Sequence, residues 1–229
     1  MLSCSTVSFD GYEVAPAIEE IGKLGFDGVE LGFIEGYVGN FSDELFGEDS
    51  ARRVRAALGS AGLPCTAVSG HIDLSDDNAV ERAALRLRFA ARVGAPRLVT
   101  NAAIRLNEEA FFRNMEPIIR EAERWKVIIC LENPGNGVGN VIDGGVSAGD
   151  VMKRIGHPLV RINYDFANTA SHAPACSAAN FRSETDFIHT LPWLEQLHLK
   201  DVRRTSSGDF EYPAIGEGCI DFRSIFLTL

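Results

Sequence analysis

Short apolar, β-branched runs alternate along this chain with longer stretches in which apolar residues recur every three or four positions. The short runs cover residues 2–9, 28–32, 65–71, 97–102, 127–133, 160–165 and 194–202, and their length and branching predict strands. Between them, Val14, Ala17, Ile18, Ile21 and Leu24 fall at helical spacing, as do Ala51, Val54, Leu58 and Ala61. Val80, Ala84, Leu87 and Ala91 make a third stripe; Phe111, Met115, Ile118, Ile119 and Ala122 make a fourth. These periods predict amphipathic helices. Ser75 before Asp76-Asp77, Asn107 before Glu108-Glu109 and Ser183 before Glu184 supply start signals.

Strand–helix alternation of this kind implies parallel strands joined by helical crossovers, in a closed barrel or an open doubly wound sheet. The polar residues that end the runs are Glu30, His71, Asn101, Glu132, Asp165 and His198, at intervals of 41, 30, 31, 33 and 33 residues. Near-uniform units, each ending in a polar residue, describe an α/β (β/α)8 TIM barrel, whose active-site groups gather at the C-terminal ends of its strands. An open sheet would concentrate its signal at one switch point behind a glycine fingerprint. Gly135, Gly137 and Gly139 open no helix pattern and no phosphate loop is present, so 134–145 reads as a loop over the barrel mouth. Residues 1–229 are expected to form a single barrel domain of about seven βα units. Residues 221–229 read as the start of the seventh helix, and an eighth unit of similar length would end past Leu229. The expectation is therefore a barrel truncated before its eighth strand, with unpaired strand edges.

Composition narrows the function classes. The apolar share of 45% with 24% charged residues suits a soluble globular protein. No apolar run approaches the roughly 20 residues that span a bilayer, and the N-terminus lacks a basic region followed by an apolar core. The net charge of −10, with no basic cluster beyond a pair, argues against nucleic acid as a partner. Cys4, Cys65, Cys130, Cys176 and Cys219 are odd in number and lack CxxC spacing; reduced, buried thiols in a cytoplasmic protein follow.

The chemistry lies at three strand ends. Glu132 ends VIICLE, Asp165 ends VRINYD and His198 stands in LEQLHLKD. A charge following a buried strand is costly unless it is paired or metal-bound. Two carboxylates and an imidazole suit one divalent metal, Mn2+ or Mg2+ before Co2+ or Zn2+.

The segments LGFDGVELG, SGHIDLS, LENPG, NYDFANT, LHLKD and IGEGCIDF, one per unit and in this order, resemble the xylose isomerase-like barrel superfamily. That group holds sugar isomerases, ketose 3-epimerases, inosose dehydratases and endonuclease IV-type repair enzymes. The resemblance implies a single metal on a Glu, an Asp, a His and a second Glu from the eighth strand; Glu132, Asp165 and His198 match the first three. It also implies that Glu132 is a catalytic acid–base group. Glu30 and His71 match pocket-lining positions. Asn168 stands where the family pattern DxxH has histidine, and an amide can hydrogen-bond a sugar hydroxyl. The repair branch needs further histidines, yet Asn101 occupies one of the wanted positions.

Glu30, His71, Asn168, Lys200 and Arg203 are the positions expected to contact substrate. Lys200 alternates with Asp201, so one of the two points away and a structural ion pair is an equal reading. Phe33 and Phe166 suit either sugar stacking or core packing; His157 and His189 carry no assignment. The expected activity is a metal-dependent isomerase or epimerase of a small sugar, polyol or hydroxy-keto acid, working through an enediolate. Inosose-type dehydration is the near alternative. A catalytically incomplete barrel fragment that only binds metal or a small ligand is the alternative of another class. The expected partners are a small sugar or polyol and, given the open edge, further copies of the chain; neither nucleic acid nor membrane is expected.

Overall fold

The computed structural model describes residues 1–9, 11–39, 41–135, 138–172 and 182–229. Among these residues, seven parallel strands form one sheet: β1 (Ser3–Ser5), β2 (Gly28–Gly32), β3 (Cys65–Ser69), β4 (Arg97–Asn101), β5 (Ile128–Glu132), β6 (Val160–Asp165) and β7 (Leu194–His198). Their hydrogen-bonded order follows chain order from β1 to β7. A doubly wound sheet reverses direction at its switch point; this order has no reversal. The intervening helices are α1 (Val14–Lys23), α2 (Glu48–Ala61), α3 (Ala79–Val93), α4 (Glu108–Trp125), α5 (Gly145–Ile155), α6 (Phe166–His172) and the single turn α7 (Ser183–Asp186). After β7 come a hairpin, β8 (Arg203–Arg204) with β9 (Phe210–Glu211), and then α8 (Phe222–Thr228).

Two compact units make up the described chain. The first comprises Met1–Thr100 with Arg113–Ile129, the second Asn101–Phe112 with Cys130–Leu229.

In the first unit, every residue of β2 is buried and β3 is nearly so, as expected of parallel strands covered on both faces. Its core includes an aromatic group, Phe33, Phe46 and Phe89, with ring centroids 5.5 to 5.7 Å apart. Arg86 of α3 is fully buried against it, its guanidinium 4.2 Å from the Phe46 centroid. Nε of Arg86 donates to the Gly70 carbonyl, Nη1 to the Arg82 carbonyl and Nη2 to Asp43 Oδ1. Burial lowers the Arg86 pKa, and Asp43 partly offsets this.

The buried face of α3 keeps Leu87 of the expected stripe but otherwise lies one position earlier: Ala79, Ala83, Arg86 and Ala90 point inward. An arginine on that face breaks an apolar count, which explains the slip. Ser75 is not a helix cap either. It bonds Asp73, and α3 begins three residues beyond Asp76.

In the second unit the core carries Tyr164, Phe166 and Phe187, and Tyr164 Oη donates to Asp186 at 2.8 Å. Phe166 is therefore a packing residue, as is Phe33 in the first unit. The strand expected over 194–202 stops at His198, and the chain that follows is gathered around the Asp201 carboxylate. That carboxylate accepts from the backbone N–H groups of Val202, Gly216, Gly218 and Ile220. Burial alone would raise its pKa, but the four donors outweigh burial and hold it below the ordinary carboxylate range. Gly218 is needed there, since a Cβ would run into the Asp201 carboxylate. The expected start of a helix near residue 221 is met by α8, with Asp221 accepting from Ser224 N at its N-terminus.

Cys65 and Cys130 are buried and outside any disulfide, Cys4 is partly exposed and Cys219 is exposed. Burial, reinforced by the charge of Glu30, pushes the Cys65 thiol up to about 12. Cys176, Asn136 and Gly137 lie outside the described residues.

Candidate metal centre

β5 and β6 deliver Glu132 and Asp165 at their C-terminal ends, and β7 delivers His198. Asp165 and His198 are direct register partners across β6 and β7. Both carboxylates are buried, at 4% and 2% exposure. One ligand atom from each of the three residues lies within 4.8 Å of the others, and His198 Nδ1 stands 3.2 Å from Glu132 Oε2.

Amides hold this cluster. Asn133, directly after β5, donates to the Asp165 carbonyl at 2.8 Å and accepts from the Asp165 N–H at 2.9 Å. It thereby copies a backbone pairing one residue past the strand. Asn163 Nδ2 donates to Glu132 Oε2 at 3.0 Å. Asn168 Nδ2 donates to Glu132 Oε1 at 3.2 Å and to the Asn133 carbonyl at 3.0 Å. The Asn168 N–H in turn donates to Asp165 Oδ1 at 2.8 Å, so Asp165 caps the helix that follows it. Gln196, the register partner of Asn163, lies 3.4 Å from His198 Nε2. These second-rank contacts fix ligand orientation, as outer partners do in metal sites.

Lys200 completes the group. Its Nζ lies 3.1 Å from Asp165 Oδ2 and donates to Asn168 Oδ1 at 2.6 Å. Burial pushes the Asp165 carboxyl above its ordinary range; Lys200 opposes this and Glu132 adds to it. Burial would lower the Lys200 pKa, but the Asp165 carboxylate outweighs it and the net direction is upward. The donor set fits a divalent cation: two buried carboxylates and an imidazole converge, and one flexible ammonium is poor compensation for both acids. Oxygen-rich donors with a single imidazole suit Mn2+, Mg2+, Co2+ or Zn2+.

Of the positions expected to bind substrate, Asn168 and Lys200 thus join the cluster. Arg203 is exposed on β8, where it pairs with Glu211 and donates to the Glu217 carbonyl. Glu30 and His71 belong to the first unit. Glu30 is buried and accepts from Ser69 Oγ at 2.9 Å; His71 is half-buried just past β3. Asn133, Asn163 and Gln196 were not expected. Their only signal is an amide set within or beside an apolar run.

The family model described as xylose isomerase-like TIM barrel matches residues 18–229. No curated protein matches the chain by sequence. Solved structures with the same fold include D-psicose 3-epimerase from Clostridium cellulolyticum H10, at 16% identity and a TM-score of 0.76, covering 100% of this chain and 80% of that one. The 3-keto-D-glucoside 4-epimerase of E. coli is 18% identical, with a TM-score of 0.75 and coverage of 100% and 87%. A probable 3-DHS dehydratase from Bacillus anthracis is 18% identical, with a TM-score of 0.74 and coverage of 99% and 88%. Among the described residues, no helix is long and apolar enough to cross a membrane.

Proposed function

Because this chain belongs to the xylose isomerase-like TIM barrel family, we propose that it is a metal-dependent isomerase or epimerase of a small keto-sugar, polyol or hydroxy-keto acid. The observation that carries this reading is the buried cluster of Glu132, Asp165 and His198. These three residues would hold one divalent cation. When bound, it would polarise a substrate carbonyl and the neighbouring hydroxyl, lowering the cost of removing the proton between them. Glu132 takes that proton, its carboxylate aimed by Asn163 and Asn168. Lys200 offers a donor to the substrate oxygens on which charge develops. Return of the proton to the neighbouring carbon isomerises; return to the opposite face of the same carbon epimerises.

The cluster is acidic and has a single ammonium neighbour, Lys200. This favours an uncharged polyhydroxy substrate over a phosphorylated one. Purified protein with added Mn2+ in D2O is expected to place deuterium beside the carbonyl of a free ketose such as D-fructose, D-tagatose or D-allulose. Chelation is expected to stop the exchange. Proton NMR reads it directly. Absence of exchange in every ketose contradicts the proposal, and exchange accompanied by loss of water moves the assignment to dehydration.

A further inference from the structure

We propose that Lys200 is a counter-ion of Asp165 in this cluster and that a divalent cation must displace it from Asp165 in order to bind. The proposal rests on the metal reading of that cluster and adds a competitor to it.

The argument starts from the two oxygens of Asp165. Oδ1 is committed to the N–H of Asn168, at the start of α6. Oδ2 is therefore the oxygen left to face a cation, and Lys200 Nζ sits 3.1 Å from it. An ammonium and a dication cannot share that oxygen without strong like-charge repulsion. Without either, His198 beside Glu132 would be the one cationic partner left in the cluster for two buried carboxylates.

Lys200 is also built to leave. Its side chain is 39% exposed where that of Asp165 is 3% exposed, so one partner of this pair can return to water and the other cannot. From the same position Nζ also lies 5.1 Å from the centroid of the Tyr212 ring, a cation–π contact that does not depend on Asp165. The backbone on either side of the exchange is fixed. Asp201, the next residue, is held by four backbone N–H donors, three of them from 216–220 just beyond Tyr212. The side chain of Lys200 can therefore leave Asp165 while the backbone that anchors it stays in place. Asn168, held on Glu132 and on the Asn133 carbonyl, keeps its Oδ1 for whichever donor arrives next. Loading of the metal would thus release an ammonium toward substrate oxygens at the moment the site becomes competent.

The test compares wild type with Lys200→Met, using Mn2+ alone as the probe. Calorimetric titration against a competing chelator gives the affinity, and thermal unfolding is followed in EDTA and in saturating Mn2+. The expected result is Mn2+ affinity at least tenfold tighter in Lys200→Met, with a lower unfolding midpoint in EDTA that saturating Mn2+ restores. Lys200→Arg is expected to keep wild-type affinity. Should Lys200→Met fail to fold, Lys200→Gln, which preserves a donor for Asn168, supplies the same comparison. Equal or weaker Mn2+ binding in the variant, with wild type binding normally, overturns the displacement proposal and leaves the metal reading intact. Absence of binding in wild type overturns the metal reading itself, and the displacement proposal with it.

Discussion

Replacement of Glu132 by Gln is expected to reduce metal-dependent solvent exchange by roughly 10^2- to 10^4-fold, the range for removal of a positioned general base. The substitution preserves shape and removes both the charge and the proton acceptor. It also disturbs a matched contact, because Asn163 and Asn168 each aim an N–H at one carboxylate oxygen. A glutamine must turn its own amide nitrogen toward one of them, leaving two donors face to face where exposure is 4%. Exchange rates should be measured at saturating Mn2+, with circular dichroism to confirm the fold. A variant that exchanges within tenfold of wild type would remove Glu132 from the proton-transfer step.

The largest expected effect on stability lies in the first unit. Arg86→Met is expected to cost about 1–3 kcal/mol, the scale for leaving a buried acceptor without its donor. Asp43 is 40% exposed and can recover solvent, so its loss of a partner is the smaller part. The larger part is the Gly70 carbonyl, which loses its donor, together with the packing of the guanidinium on Phe46. Urea denaturation followed by tryptophan fluorescence measures the change. A difference below about 1 kcal/mol would show that methionine refills the space and that the arginine contributes little.

The same residue shows where sequence reading reaches its limit. Helical period located α3, but the count of apolar positions stepped over Arg86 and assigned the inward face one residue off. A charged side chain inside a core is legible only once its partners, here Asp43 and the Gly70 carbonyl, are brought near by the fold. Strands buried on both faces were more transparent: β2 and β6 have the bounds their apolar runs predict. The run over 2–9 was misleading because its strand ends at Ser5. Thr6 then accepts from the Gly32 N–H through its hydroxyl, taking the place of a ladder bond. The run over 194–202 ends early, at His198, and the hold of Asp201 on backbone donors at 216–220 is not written in any local pattern.

The convergence of Glu132, Asp165 and His198 was legible for a geometric reason. Parallel strands in chain order bring their C-terminal ends together, so polar residues ending consecutive runs meet. Asp165 and His198 do so as direct register partners. The amides that orient them were not legible. Asn133, Asn163 and Gln196 have ordinary neighbours in the sequence, and their roles depend on hydrogen bonds across strands. Lys200 was expected to bind substrate or to form an ion pair; the structure places it on Asp165 and Asn168, which gives it the additional part argued above.

The central claim is that Glu132, Asp165 and His198 hold one divalent cation. The most direct measurement is the metal content of purified protein by plasma mass spectrometry, repeated for Asp165→Ala and His198→Ala. Close to one equivalent of Mn, Co or Zn, or stoichiometric uptake on titration, that is lost in both variants is the predicted result. Absence of bound metal in wild type with no uptake on titration, or binding that survives both substitutions, would contradict it.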